Sequence, residues 1–432
     1  MRAILSEFTL ANFKSYREGR LPLGSLTVLI GANASGKSNA LEGLRFLSWL
    51  AQGKKLSSIQ YETNRSDRIV RGRISDLCYQ EESSFTIGCH LDWTESSELT
   101  LTLTVRDGEL HISSERITGA SDQVLYDLDR PSQGMGTDVD VAYNNFARGR
   151  NKPHITCSDQ MAIFVQLDSP ASFNAKHKTS QQVIPEIVRN YQRVLENILF
   201  LDPIPARMRE YSFKTDKRLQ GDGSNLPSVL FRLWNGNASN KQAILDFIQS
   251  LPEQAISGLD FLIGPRDEVM VSLTETFGNI ERPCEAALLS DGTLRVLAIA
   301  AAMLSATEGS LVVIEEIDNG VHPTRAEHLL ASIRAIAERR NLRVLLSTHN
   351  PALMDALPDR ALGDVVFCFR DPQDGNSRLI RLGDMDEFPG LVSQGPLGQL
   401  VTTGVVDRFI KSPHTPEERK QRAIDWLARL QG

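Results

Sequence analysis

Residues 31–38 read Gly-Ala-Asn-Ala-Ser-Gly-Lys-Ser, and this stretch decides the fold. It matches the pattern GxxxxGK[ST] at every fixed position. It follows the apolar run Leu26–Ile30 and precedes a helical stripe formed by Leu41, Leu44 and Leu47. Glycines in such a loop let backbone N–H groups converge on a phosphate, and the N-terminus of the next helix adds its positive dipole end. The stretch therefore predicts a phosphate-binding loop between a buried strand and a helix.

Two side chains of this loop have distinct expected tasks. Lys37 is expected to reach the β- and γ-phosphates of a nucleotide, and the Ser38 hydroxyl is expected to coordinate Mg²⁺. ATP and Mg²⁺ are therefore the predicted cofactors. The remaining predicted nucleotide-binding positions of the loop are Gly31, Asn33, Ala34, Ser35, Gly36 and Asn39.

A second part of the site is predicted where the apolar run 311–314 ends in Glu315 and Glu316. A strand that is buried on both faces delivers its polar end to the carboxyl edge of a parallel sheet, where ligands of such folds bind. Neighbouring residues on a strand point to opposite sides, so the two acids are expected to have different tasks. We assign Glu315 to Mg²⁺ and Glu316 to the orientation of the attacking water.

A histidine follows the next apolar run. Residues 345–350 read Leu-Leu-Ser-Thr-His-Asn. A single histidine at a strand end is more often a structural residue with satisfied hydrogen bonds. Because His349 comes one helix and one strand after Glu316, we predict that it contacts the γ-phosphate or holds the attacking water.

The segment Ser290-Asp291-Gly292-Thr293 stands before an alanine-rich helix and just upstream of the acidic strand. It resembles the LSGGQ signature of ABC-type ATPases, with Asp291 in place of the first glycine and Thr293 in place of glutamine. These departures are similar to the RecF, SMC and OLD-type branch and not to transporter ATPases. The segments 12–16 (Asn-Phe-Lys-Ser-Tyr), 315–318 and 347–350, and His322 with Pro323, resemble the same branch.

This resemblance implies an α/β fold of the ABC-type ATPase head, with a mixed β-sheet lobe and an inserted α-helical subdomain. It further implies a head-to-tail homodimer, in which Ser290 and Gly292 of one copy cap the ATP held by the other. Asp318 would lie at the dimer seam. The glutamine that the family uses in its Q-loop matches either Gln166 or the turn at Asp202, and the sequence leaves both open.

The pattern along the chain predicts four segments. Residues 1–118 contain the phosphate loop and then three antiparallel strands over 84–117, with a turn at Asp107-Gly108. Residues 119–285 are predicted as an inserted region of helices and loops, in which the polar stretch 119–160 is a long loop. Residues 286–410 complete the ATPase head, and 411–432 form a C-terminal helix that opens near Thr415.

The composition of the chain indicates which classes of binding partner to expect. A net charge of −7 removes any presumption of duplex DNA binding, because phosphate neutralisation supplies most non-specific affinity. No apolar run reaches the roughly 20 residues of a membrane span, and the start of the chain does not resemble a signal peptide. A cytoplasmic protein without a membrane partner is expected. The scattered cysteines favour reduced thiols and not a disulfide framework or zinc site; they are Cys78, Cys89, Cys157, Cys284 and Cys368.

The chain carries no long coiled coil of the SMC type and no nuclease domain of the OLD type after the last ATPase motif. Without these two features, the chain resembles the stand-alone bacterial AAA-type ATPases of ABC topology found in anti-phage systems. This resemblance implies a separately encoded effector such as a nuclease. We predict that the stretch 119–160 and the helix after Thr415 form part of the effector surface.

The alternative function is a RecF- or SMC-like DNA-repair ATPase. It would require a basic groove. The nearest match is a basic run after the first helix, formed by Lys54, Lys55, Arg65, Arg68, Arg71 and Arg73. Such a run is usually a solvated face, so nucleic acid binding is not indicated.

Overall fold

The computed structural model describes most of the chain, namely residues 3–59, 69–93, 97–119, 122–133, 136–149, 151–249, 255–277, 280–318, 326–386 and 388–411. Within these ranges, no helix is both long enough and apolar enough to cross a membrane. The segment predicted as a C-terminal helix after Thr415, together with Arg65, Arg68, His322 and Pro323, lies outside the described residues.

The described strands are β1 (Ile4–Phe13), β2 (Tyr16–Pro22), β3 (Leu26–Ile30), β4 (Ser84–Asp92), β5 (Ser97–Arg106), β6 (Glu109–Thr118), β7 (Val124–Arg130), β8 (Asp138–Tyr143), β9 (His154–Ser158), β10 (Leu199–Leu201), β11 (Ser212–Phe213), β12 (Ala255–Ile263), β13 (Glu268–Phe277), β14 (Ile280–Glu285), β15 (Leu311–Ile314), β16 (Arg343–Thr348), β17 (Val365–Arg370) and β18 (Ser377–Arg381).

The described α-helices are α1 (Lys37–Ala51), α2 (Ile163–Gln166), α3 (Lys178–Glu196), α4 (Pro205–Met208), α5 (Leu226–Gly236), α6 (Ala238–Gln249), α7 (Asp291–Ser305), α8 (Ala326–Arg340), α9 (Pro351–Asp355), α10 (Asp359–Leu362), α11 (Phe388–Val392), α12 (Leu397–Thr402) and α13 (Val405–Lys411).

A six-stranded sheet forms the centre of the nucleotide-binding half, with the strand order β10-β15-β16-β3-β17-β18. All neighbours are parallel except the final pair, β17 and β18. Side chains of β15 alternate between two hydrophobic cores: Val312 and Ile314 pack into one, and Leu311 and Val313 pack into the other. A strand that must be apolar on both faces reads as a continuous apolar run. The parallel sheet confirms the predicted α/β class.

A second, antiparallel sheet has the order β2-β1-β4-β5-β6-β7-β8-β9. The three strands predicted over 84–117 are confirmed as β4, β5 and β6. Their predicted turn is also confirmed, because Asp107 and Gly108 have φ of 51° and 81°, the left-handed backbone that a two-residue hairpin turn requires.

The prediction of a long loop over 119–160 is wrong. Strands β7, β8 and β9 lie in this stretch and extend the antiparallel sheet past position 118. Their residue pattern did not reveal them. In β8 only alternate residues such as Val139 and Val141 are buried, among polar neighbours. In β7 a register shift breaks the alternation, so that the consecutive residues Leu125 and Tyr126 are both buried. The division of the chain into four segments stays a prediction.

The segment between β10 and α7 contains both helices and a small sheet. Helices α5 and α6 pack against α7, and β11, β12, β13 and β14 form a four-stranded antiparallel sheet around β13. The stretch 119–285, predicted as helices and loops, therefore also contains strands.

A buried carboxyl group joins the antiparallel sheet to α2. Glu115 of β6 is fully buried and accepts hydrogen bonds from the backbone N–H groups of Ile163 and Phe164 and from the Tyr126 hydroxyl. Burial raises the pKa of the Glu115 carboxyl to about 7, against the opposing effect of these three donors. The folded protein therefore keeps this group protonated over a pH range in which the unfolded chain ionises it.

This difference makes stability depend on pH. Between about pH 4.5 and pH 7 the folded state holds the extra proton, so the contribution of Glu115 to the free energy of unfolding falls as the pH rises. We expect the stability difference between the wild type and Glu115→Gln to shift by about 3 kcal/mol across this range, measured by urea unfolding from pH 4.5 to 8. The exposed Glu109→Gln is the control. A difference that stays constant with pH would contradict the assignment.

Candidate active site at the phosphate loop

The phosphate loop runs from the end of β3 to the start of α1, at the carboxyl edge of the parallel sheet. Its backbone is left-handed at Gly31, Ala34 and Gly36, with φ of 149°, 63° and 119°. A Cβ atom on Gly36 would stand 2.3 Å from Ser377 Oγ, and one on Gly31 would stand 2.1 Å from the backbone oxygen of Cys368. Both positions therefore require glycine for conformation and for space.

Hydrogen bonds from neighbouring strands fix two carbonyl groups of this loop. Ser377 Oγ donates to the Ser35 carbonyl at 2.6 Å, and the Tyr16 hydroxyl donates to the Gly36 carbonyl at 3.1 Å. Asn39 Nδ2 donates to Ser15 Oγ at 2.8 Å. The contacts of Ser377 and Tyr16 therefore tie the loop to the starts of β18 and β2.

That cavity has a volume of about 320 Å³. It brings together the predicted phosphate loop, both predicted carboxylates and the predicted histidine. Its lining residues are Asn33, Ala34, Ser35, Gly36, Lys37, Ser38, Asn39, Leu41, Arg71, Glu315, Glu316, Ser347, Thr348, His349 and Arg370.

Lys37 lies folded back on the loop. Its Nζ donates to the carbonyl oxygens of Gly31 and Ala32 at 2.6 and 3.0 Å. Burial lowers the pKa of the Lys37 ammonium, and the nearby carboxylates Glu316 and Asp318 oppose this shift. An anion in the cavity would compete with two neutral carbonyls for this cation, and a charged acceptor forms the stronger bond.

The two adjacent carboxylates lie in a turn. Strand β15 ends at Ile314, and Glu316 has a φ of 46°, so the assumed strand alternation is wrong at these positions. The turn is fixed by two backbone donors: Glu315 N–H bonds the Leu201 carbonyl at 3.0 Å, and Glu316 N–H bonds Ser347 Oγ at 2.9 Å. The assignment of different tasks to the two acids stays a prediction.

Glu315 pairs with Arg45 of α1, whose Nη2 is 2.6 Å from Glu315 Oε1. The Arg45 guanidinium also lies over the Phe200 ring, 5.1 Å from its centroid. Burial raises the pKa of the Glu315 carboxyl, and Arg45 opposes the shift. Together with the Ser38 hydroxyl, Glu315 offers the oxygen ligands that Mg²⁺ prefers. Within the described ranges, no cluster of three His, Cys, Asp or Glu residues could hold a metal.

His349 faces a buried carboxylate. Its Nδ1 is 3.6 Å from Asp318 Oδ2, and the Asp318 side chain is 5% exposed. The other oxygen, Oδ1, is buried and has no hydrogen-bond partner among the residues that the structure describes. Asp318, which the resemblance assigns to a dimer seam, is thus largely covered within a single chain.

The two Q-loop candidates lie in different surroundings. The Gln166 amide is occupied locally, accepting from Ser158 N–H and donating to the Ser158 and Met161 carbonyls, each at 2.8 Å. Asp202 directly follows β10, which is parallel to β15. Burial raises the pKa of the Asp202 carboxyl, with Arg45 and Arg295 opposing and Glu316 adding to the shift. The structure therefore brings Asp202, and not Gln166, to the edge that carries Glu316.

The signature segment does not line this cavity. Ser290 is the N-cap of α7, and its Oγ accepts from Thr293 N–H at 3.1 Å. Arg209 binds the residues on both sides of Ser290, the Leu289 carbonyl at 2.9 Å and Asp291 Oδ1 at 2.6 Å. Gly292 lies in the first turn of the same helix. Leu288, just ahead of the segment, is 77% exposed, so this surface is open to another molecule.

Two arginines of the cavity were missed as site residues. Arg370 ends β17, and its Nε donates to the Ala34 carbonyl at 3.1 Å. Nothing in the sequence marks it beyond its place at the end of a predicted strand. Arg71 was assigned to a basic run, but it lines the phosphate cavity. Only tertiary contacts bring it there.

Two family models match the chain. Residues 4–123 match the model described as "AAA ATPase domain". Residues 166–355 match the model described as "AAA domain, putative AbiEii toxin, Type IV TA system". These segments contain the phosphate loop, the signature segment, the carboxylate turn and His349. The protein is an ATPase with a P-loop fold.

Several solved structures are similar at low sequence identity. The SmcHead bound to the C-winged helix domain of ScpA has a TM-score of 0.47 and 13% identity, over 87% of this chain and 97% of that one. The SMC head domain from Thermotoga maritima has 0.40 and 14%, over 88% and 99%. The Smc head domain bound to the C-terminal domain of ScpA derived from Pyrococcus furiosus has 0.47 and 12%, over 88% and 96%. No curated protein sequence matches significantly.

The carboxylate turn yields a test of the chemistry. We expect Glu316→Gln to retain ATP binding and to lower the rate of ATP hydrolysis about 10²-fold or more, because positioning of the water contributes on that scale. Phosphate release and nucleotide titration measure the two effects separately. The exposed Glu81→Gln is the matched control. Hydrolysis at the wild-type rate by Glu316→Gln would show that another group orients the water.

Proposed function

We propose that two copies of this ATPase close head to tail around ATP and that this closure regulates a separately encoded effector in bacterial anti-phage defence. One observation carries the dimer proposal. The phosphate loop, both carboxylates and His349 line a single cavity, whereas the signature segment around Ser290 lies on a different, exposed surface of the same chain. A second copy can supply the missing side of the site.

The first side of the composite site is the phosphate-loop cavity of one copy, where the residues of the loop hold the nucleotide. Backbone N–H groups of the loop and of the start of α1 bind the phosphates, and the Lys37 ammonium leaves the Gly31 and Ala32 carbonyls to bind the β- and γ-phosphates. Ser38 and Glu315 hold Mg²⁺, which supplies charge neutralisation on the phosphates when it is bound. Asp202 serves at the Q-loop position beside Glu316.

Glu316 orients the attacking water and accepts its proton, because its backbone is fixed by Ser347 and its carboxylate lines the cavity. His349 contacts the γ-phosphate or the water, and Asp318 orients the imidazole through Nδ1. This assigns the buried Asp318 to its own chain's histidine before any second copy arrives.

On the second side, the signature segment caps the partner's nucleotide. Ser290 and the N–H groups of the first turn of α7, including Gly292, meet the γ-phosphate at the positive end of a 15-residue helix. The exposed Leu288 would be covered by the partner. Both copies contribute one of each surface, so the symmetric dimer contains two composite sites.

The defence role rests on the family description. The model that matches 166–355 is described as a putative AbiEii toxin of a type IV TA system, which supports a paired genetic setting. The DNA-repair alternative loses support, because Arg71 lines the phosphate cavity, although Lys54 and Lys55 are exposed.

We expect Ser290→Arg to block ATP-driven dimerisation while each monomer still binds ATP, because the long arginine side chain fills the position that caps the partner's nucleotide. Light scattering with ATP and Mg²⁺ measures dimerisation, and the exposed Ser393→Arg is the control. A mixture of Ser290→Arg and Lys37→Ala chains can rebuild at most one of the two composite sites. Full ATPase activity from a strictly monomeric wild type would refute the composite site.

Phage challenge tests the biological part. Cells that express the chain with the products of its neighbouring genes should survive infection, and Lys37→Ala should abolish this protection. Pull-down with the same gene products should identify the effector. The proposal of a separate effector fails if the chain expressed alone is toxic, or if Lys37→Ala cells remain protected.

A further inference from the structure

Glu42 is an acidic side chain buried beside the phosphate loop. It lies on α1, five residues after Lys37, and its side chain is only 6% exposed. A buried carboxylate is stable only when charged groups and hydrogen bonds surround it. Its partners therefore indicate what the fold uses it for.

These partners converge on one residue. Glu42 Oε1 accepts from the Arg71 backbone N–H at 2.5 Å, and Oε2 accepts from Arg71 Nε at 3.1 Å. Lys14 Nζ forms an ion pair with Glu42 Oε1 and donates to the Arg71 carbonyl at 2.8 Å. The N–H, the carbonyl and the inner side-chain nitrogen of Arg71 are all fixed by this clamp of Lys14 and Glu42.

The clamp leaves the other end of Arg71 to the cavity. Glu42 binds the guanidinium through Nε and not through the two terminal nitrogens. Arg71 lines the phosphate cavity with a side chain that is 57% exposed. Its positive charge also acts on Glu315, across the same cavity. Arg71 is thus held at the wall of the cavity in which phosphate groups would lie.

We propose that Glu42, assisted by Lys14, is a positioning residue that holds Arg71 ready to bind the phosphates of the nucleotide. This inference rests on the proposed nucleotide site. An arginine that is free to move loses side-chain entropy when it binds, and one that is already fixed does not pay this cost again. A planar donor pair held in place also matches the geometry of phosphate oxygens.

The clamp gives the opening segment 12–16 a role in this chain. Lys14 stands in a left-handed turn with a φ of 49°, and its N–H bonds the Leu77 carbonyl at 2.9 Å. This turn directs Lys14 toward Glu42 and Arg71. Lys14 therefore acts on the cavity through Arg71.

A double-mutant cycle tests the inference. Arg71→Ala should weaken ATP binding about tenfold or more, and Glu42→Gln should weaken it by a smaller factor. If Glu42 acts through Arg71, the double variant binds ATP as weakly as Arg71→Ala alone. The exposed Arg73→Ala should bind like the wild type. Titration with ATP and Mg²⁺ gives the affinities, and thermal unfolding checks each fold.

Multiplicative effects of Glu42→Gln and Arg71→Ala would overturn the inference, because they would show that Glu42 acts independently of Arg71. If Glu42→Gln does not fold, Lys14→Gln enters the same cycle, with the same expected result and the same contradicting one. Lys37→Ala distinguishes a failure of the proposed nucleotide site from a failure of the positioning role of Glu42. Normal ATP binding by Lys37→Ala refutes the proposed nucleotide site, whereas loss of binding in Lys37→Ala but not in Arg71→Ala refutes the positioning role alone.

Discussion

The peptide groups of the phosphate loop have to keep their N–H bonds turned toward one point, and much of the nucleotide-binding half serves this requirement. The loop can form the necessary left-handed turns only with glycine at Gly31 and Gly36. Its carbonyls must then be bound elsewhere. Ser377, at the start of β18, and Tyr16, at the start of β2, bind two of them. These residues come from opposite ends of the chain, so the loop is complete only when both halves of the ATPase head have packed.

The parallel sheet supplies the second requirement, which is a common edge. Strands β3, β10, β15, β16 and β17 run in one direction, so the residues that follow them meet. Polar side chains at this edge replace the apolar residues within the strands. The edge therefore concentrates charge. Burial raises the pKa of the Glu315 and Asp202 carboxyls, and the positive charge of Arg45 opposes both shifts. Burial disfavours each isolated charge, and the pairing of Arg45 with Glu315 offsets part of that cost.

The sequence predicted those features that depend on local rules. The glycine pattern, the apolar strands and the Asp107-Gly108 turn each follow from backbone sterics or from burial on two faces. Strands β7 and β8 were not predicted, because β8 buries only alternate residues in a polar stretch and a register shift breaks the alternation of β7. Glu316 was placed on a strand because the apolar run does not show that β15 ends at Ile314. Arg71 and Arg370 were not predicted as site residues, because only tertiary packing brings them to the cavity.

Arg45 contacts several elements of the nucleotide site at once. It lies on α1, pairs with Glu315 after β15, and covers the Phe200 ring of β10. Asp202 follows β10 and feels both Arg45 and Arg295, a residue of α7. The N-terminus of α7 carries Ser290, and Arg209, which follows α4, binds on both sides of it. Arg45 and Asp202 therefore link the carboxylate turn electrostatically with the helix that carries the signature segment.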